Sequence, residues 1–153
     1  MSFESGKSYH LQVKGGGDVT QISNTTFPDK VHILTHCPDA TEQVWVAETE
    51  NYWVSFRSVK NNKYLGPNAN GDFHAYATEI GDRERFQVQP IGPNSFYLVL
   101  PNGPKPLFVH ENWRYSSLQL SSDDTVQPLE FDFVKGEWLY SIRCSKLAST
   151  DIL

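Results

Sequence analysis

Cysteine is scarce in this chain: of 153 residues only Cys37 and Cys144 carry thiols, too few to staple a small secreted scaffold. Long apolar runs are missing as well. No stretch approaches the roughly 18 residues a membrane-spanning helix needs, and the opening MSFESGKSYHLQV has no basic segment followed by a long apolar one. Neither membrane insertion nor export is therefore expected, and the expected location is cytoplasmic. The N-glycosylation pattern at Asn24 to Thr26 is then an ordinary turn. Excess positive charge is absent too: a net charge of −5 argues against a nucleic-acid partner or a polybasic membrane surface. No segment sustains a 3.6-residue apolar period, and Pro or Gly interrupts the chain too often for a good helix. The chain also lacks G-x-S-x-G, H-E-x-x-H and a phosphate loop, and no enzyme or cofactor is expected.

What is present is ring-bearing and strand-forming. Aromatic residues make up 13% and hydrophobic residues 39% of the chain, which sets an all-β expectation for one domain with a real core. An aromatic closes each of three polar-to-apolar junctions: Trp45 in TEQVWVAE, Phe86 in RERFQVQ and Phe131 in PLEFDFV, spaced 41 and 45 residues apart. Upstream of each lies an alternating run, centred on Leu11, Val54 and Leu98, at spacings of 43 and 44. Gly, Pro, Asn and Asp clusters cut each unit into four short strands, giving twelve in all. One such unit cannot bury its own apolar face. Three units about a pseudo-threefold axis can, by closing strands into a short barrel capped with hairpins, with Trp45, Phe86 and Phe131 as core.

This pattern resembles a β-trefoil. Gln43-Val44-Trp45 resembles the Q-x-W signature of ricin B-type lectin repeats, while Lys63-Tyr64-Leu65, Asn70-Gly71 and Glu84 to Phe86 resemble a fascin-type repeat. The resemblance implies a single domain over 1–153, with repeats at about 6–49, 50–92 and 93–135, an extra C-terminal strand and a tail over 136–153. It also implies a lectin, similar in character to cytosolic fungal trefoil lectins with a defence role, whose partners are glycans or glycoproteins. Two other uses of the fold stay open. A protease inhibitor would present a stiff loop such as LPNGPKPL, with Lys105 as its determinant, and a fascin-like trefoil would bind actin or another protein.

Binding residues are sought where rings stand in turns. VHENWRYSS places His110, Asn112, Trp113, Arg114 and Tyr115 where a hairpin ordinarily carries Gly and Asn. Ring faces pack on the apolar face of a pyranose while amide and guanidinium groups read hydroxyls. Trp113 alternatively folds back as core or acts as a protein hot spot. A ricin-type site implies an aromatic platform about a dozen residues before the Q-x-W aromatic. Those positions are Ile33, His74 and Gln119, so only the second repeat offers ring surface, with His74 and Tyr76 beside Asp72, Asn68 and Asn70.

Two further clusters have plainer readings. His32 and His36 stand four apart, on one face of a strand, a spacing that metals use. Solvated strand histidines are the expectation there, with no metal. Asp123 and Asp124 belong to a turn, and the alternating charges over residues 79–85 to a solvated loop with surface ion pairs.

Overall fold

The computed structural model describes residues 2–22, 30–101, 106–111, 115–121 and 127–135. The expected extra strand and tail over 136–153, the loop residues Asn112, Trp113 and Arg114, the Asp123-Asp124 turn, and Lys105 lie outside the described residues. Among the described residues there are twelve strands: β1 Ser8–Val13, β2 Asp18–Gln21, β3 Val31–Leu34, β4 Trp45–Glu50, β5 Trp53–Ser58, β6 Tyr64–Pro67, β7 Phe73–Ala77, β8 Gln87–Pro90, β9 Ser95–Val99, β10 Leu107–Glu111, β11 Ser116–Leu120 and β12 Glu130–Lys135. The one helical element described is a 3-10 turn at Thr41–Gln43. No described helix is long and apolar enough to cross a membrane.

Six strands close on themselves. β1 pairs with β4, β4 with β5, β8 with β9, β9 with β12, and β12 returns to β1, all antiparallel. The remaining gap, between β5 and β8, is spanned by a two-way exchange: the Val54 amide donates to the Phe86 carbonyl at 2.9 Å and the Phe86 amide to the Val54 carbonyl at 2.8 Å. The other six strands form three hairpins, β2–β3, β6–β7 and β10–β11. Their second strands meet pairwise, His32 with Ser117, Lys30 with His74, and Asp72 with Gln119. Each hairpin thus shields the edge of another, so few backbone donors and acceptors are left unpaired.

These registers define which residues correspond. The pairings Tyr9–Trp45, Val54–Phe86 and Phe96–Phe131 make Val54 the counterpart of Tyr9 and Phe96. Leu11 and Leu98 correspond instead to Phe56, two residues beyond the position expected. All three run centres are apolar on one strand face, so period-2 spacing tolerates a slip of two without moving any side chain to the other face.

Trp45, Phe86 and Phe131 are wholly buried, as expected of the core, together with Leu11, Phe56, Phe73 and Phe96. Size is matched across the ladder. Phe131 faces Val13, whereas the larger Trp45 faces the small, buried Ser58. The Trp45 indole N–H donates to the Val19 carbonyl at 2.9 Å, so its burial leaves no polar atom stranded. Near the N terminus Phe3 packs edge-on against Tyr9, Phe56 and Phe96, joining rings from three repeats. Each fully buried ring of this kind stabilises by about 1.5–3 kcal/mol through apolar burial.

Phe86→Ala is expected to cost about 3–5 kcal/mol in urea unfolding, from lost burial plus the cavity left behind. Tyr52→Ala, at a ring 85% exposed, should change stability by no more than about 0.5 kcal/mol. Equal costs at the two positions would contradict the assignment of the core.

Candidate functional site

The second repeat gathers most of the expected site residues that the structure describes. Asp72, His74 and Tyr76 alternate along β7 and its approach, so all three leave the outer face while Phe73 and Ala75 point into the core. The Tyr76 ring is 52% exposed and meets the half-buried His74 edge-on, with centroids 5.4 Å apart. His74 Nε2 lies 3.2 Å from Asn68 Nδ2. Asp72 Oδ1 accepts from Gln119 Nε2 at 2.7 Å, tying this face to the third repeat. Asn68 Oδ1 accepts from the Asn70 and Asp72 amides at 2.9 and 3.0 Å, holding the turn between β6 and β7.

Beside this face opens a small cleft of about 80 Å³, whose walls include Tyr64, Gly66, His74, Tyr76, Arg83 and Glu84. Gly66 is what lets the 81–84 loop approach. A Cβ there would meet the Arg83 carbonyl oxygen at 2.8 Å and Glu84 Oε2 at 2.7 Å. The loop itself is stapled by Glu84, whose Oε1 accepts from the Gly81 amide at 2.9 Å. Arg85 and Asp82 form the expected surface ion pair, at 3.3 Å. Arg83 stands exposed at the cleft. The volume suits the edge of one ring and a few hydroxyls, not an engulfed ligand.

Of the third-repeat set, His110 lies exposed on β10, with its ring 6.4 Å from that of Phe108. Tyr115 is half-buried: its ring stacks flat on His32, centroids 4.1 Å apart at 7°, and its hydroxyl accepts from Lys30 Nζ at 3.1 Å. One face of Tyr115 is thereby committed to packing. His32 is not a solvated strand histidine. It is fully buried, and both of its ring nitrogens lack a hydrogen-bond partner, as does the neighbouring Ser117 hydroxyl. Nor does His36 share its environment, because β3 ends at Leu34 and His36 turns towards Asp18.

The hairpin pairings also revise the platform positions. His32, His74 and Gln119 are the true counterparts, so the first repeat carries a histidine where counting back from Trp45 reaches Ile33. The first repeat holds one more residue between this point and its aromatic, in the segment that contains the 3-10 turn. By the same register Tyr76 corresponds to Leu34 and Ser121, both buried. Only the second repeat shows an exposed ring there.

No family model matches the chain, and no curated protein does. Among solved structures it is similar to a designed threefold-symmetric protein, ThreeFoil, at 14% identity and a TM-score of 0.67, over 84% of this chain and 98% of that one. It is similar to the Macrolepiota procera ricin B-like lectin, solved in complex with lactose, at 12% identity and a TM-score of 0.60, over 88% and 99% of the two chains. It also matches a Caenorhabditis elegans protein of unknown function at 9% identity and a TM-score of 0.71, over 88% and 97%. The fold is a β-trefoil.

Within this trefoil the Q-x-W glutamine is structural. Gln43 is fully buried; its Oε1 accepts from the Cys37 amide at 2.7 Å, and its Nε2 donates to the Thr35 carbonyl at 2.8 Å and to Thr20 Oγ1 at 3.1 Å. Glu84 does the equivalent work in the second repeat and Leu129 packs on the core in the third. A second cluster was not signalled by the sequence. Asp18 Oδ2 lies 2.8 Å from His10 Nδ1 and 2.7 Å from His36 Nδ1, with Asp18 and His10 buried. The three residues stand on or beside three different strands with turns between them, so only the ladder registers bring them together.

Burial, and secondarily the Lys30 charge, lower the His32 pKa from 6.5 to about 4. The folded trefoil keeps this imidazole neutral while the unfolded chain takes up a proton below 6.5. The stability His32 contributes is therefore fully present above pH 6.5 and lost as pH falls towards 4, by about 2 kcal/mol between pH 7 and pH 5. His32→Phe keeps a ring for Tyr115 to stack on and removes the titration. Urea unfolding at both pH values should show a smaller acid loss in this variant than in the natural chain; identical losses would refute the assignment.

Proposed function

We propose that the chain is a carbohydrate-binding module, a lectin, that recognises glycans at the outer face of its second repeat. The observation that carries this reading is the exposed Tyr76 ring standing beside His74 at the lip of the cleft formed with Arg83 and Glu84. An exposed aromatic face supplies apolar area for the C–H side of a pyranose at little entropic cost, because a tyrosine ring has few rotamers to lose. Hydrogen-bonding groups of both kinds stand around it: the Arg83 guanidinium donates and the Glu84 carboxylate accepts. The arrangement offers recognition chemistry, an exposed ring with a donor and an acceptor beside it.

The lactose-bound lectin among the structural neighbours supports this use of the fold without fixing it, because trefoils serve several functions. Occupancy is proposed for the second repeat. Its counterparts Leu34 and Ser121 are buried and offer no ring surface.

A glycan array followed by titration with the best-bound sugar tests the proposal. Tyr76→Ala should weaken binding at least about tenfold, equivalent to about 1.4 kcal/mol, and leave the melting temperature within a few degrees because the ring is half exposed. An array without any binder would overturn the lectin reading. Binding that survives Tyr76→Ala unchanged would move the site off the second repeat.

A further inference from the structure

The His10, Asp18 and His36 cluster lies in the first repeat, away from the glycan face, and nothing in the proposed recognition uses it. We propose that it is a binding site for a divalent transition metal ion of the zinc class. Three separate segments supply the donors: β1 carries His10, the first residue of β2 is Asp18, and His36 follows β3. The ladders set their positions. Gln12 pairs with Asp18 and Asp18 with Leu34, which aligns the carboxylate with His10 on one side and with the end of β3 on the other. Gly15, Gly16 and Gly17 all take positive φ, so the chain reverses in a turn tight enough to bring Asp18 back against β1. A side chain at Gly17 would also strike Ile33, 2.5 Å from the Cβ position.

The donor atoms of the three residues lie within 4.8 Å of one another. Both imidazoles aim Nδ1 at the same carboxylate oxygen, Asp18 Oδ2. Asp18 is fully buried, and its other oxygen, Oδ1, has no hydrogen-bond partner. Its ionic partners among the described residues are these two histidines alone. A carboxylate withdrawn from water with half its acceptor capacity unused is a costly arrangement. A cation held by one carboxylate oxygen and the two Nδ1 atoms offsets that cost.

The donor set selects the ion. Two imidazole nitrogens and a carboxylate suit Zn²⁺, Co²⁺ or Ni²⁺, whereas Ca²⁺ and Mg²⁺ prefer all-oxygen shells. Ligand bonds of about 2.0–2.2 Å around a tetrahedral ion require the N···O separations to open by roughly half an ångström. His36, 30% exposed, can supply that movement for its own pair, and a turn of the Asp18 carboxylate about its terminal bond supplies it for the pair with His10. Ligation uses the Nδ1 lone pairs, so each Nδ1 proton shared with Asp18 transfers to Nε2. The fourth position opens beside His36 onto a groove of about 750 Å³ bordered by Gly16, Thr35, Glu111 and Ser116. Water or an anionic ligand completes the shell from there.

Titration of the chelator-treated full chain with Zn²⁺ by calorimetry, and with Co²⁺ by visible absorption, tests the site. The expected result is one ion per chain and the absorption of a four-coordinate cobalt centre. His36→Ala should weaken Zn²⁺ binding by at least about 100-fold, since removing even an outer partner of a metal ligand costs 10–100-fold, while His110→Ala leaves it unchanged. In the natural chain, Zn²⁺ should shift the imidazole NMR signals of His10 and His36 and spare those of His74 and His110, a readout independent of how any variant folds. Absence of heat and colour, equal binding by His36→Ala, or shifts confined to other histidines would overturn the proposal.

Discussion

The exchange of two hydrogen bonds between Val54 and Phe86 is the narrowest point in the closure of the barrel. Elsewhere around the ring, neighbouring strands share ladders of two to six residue pairs; between β5 and β8 there is this one pair. Closure matters because no repeat has enough apolar surface to bury alone. With the ring shut, Trp45, Phe86 and Phe131 all become interior and the sheet has no edge to expose. The hairpins then add their own closure, each one pairing with the next through His32, His74 and Gln119.

The core rings hold the barrel from within, and the three repeats have used the opposite face of their hairpins differently. At one set of corresponding positions stand Leu34, Tyr76 and Ser121, of which only Tyr76 presents a ring to solvent. At another, His32 is sealed beneath Tyr115 whereas His74 lies half open next to Tyr76. The first repeat has instead turned polar side chains inward, onto Gln43 as a staple and Asp18 as a shared acceptor. Approximate symmetry in the backbone thus carries three chemically distinct surfaces, and the recognition we propose belongs to one repeat rather than to the axis.

All twelve strands were legible in the sequence because each couples a short alternating run to a turn rich in Gly, Pro, Asn or Asp, and both signals are local. The three core rings were legible because each ends such a run at near-constant spacing. Correspondence between repeats was less so. Pattern alone cannot separate Val54 from Phe56, since both point inward, and counting back from Trp45 misses His32 by the one residue inserted near the 3-10 turn. Two polar features escaped entirely. Whether His32 is wet or buried depends on Tyr115 from another hairpin, and the meeting of His10, Asp18 and His36 depends on strand register. These are long-range facts with no local trace. The Trp113 loop, the strongest ring signal in the sequence, lies outside the described residues.

Native-state hydrogen exchange at the amides of Val54 and Phe86 tests the closed ring most directly. If the two hydrogen bonds seal the barrel, both amides exchange only on global unfolding, with the same free energy as the amides that bond across the extended β4–β5 ladder. Fast exchange at Val54 and Phe86, with β4 and β5 still protected, would show a sheet open between β5 and β8 and would contradict the architecture on which both proposed sites rest.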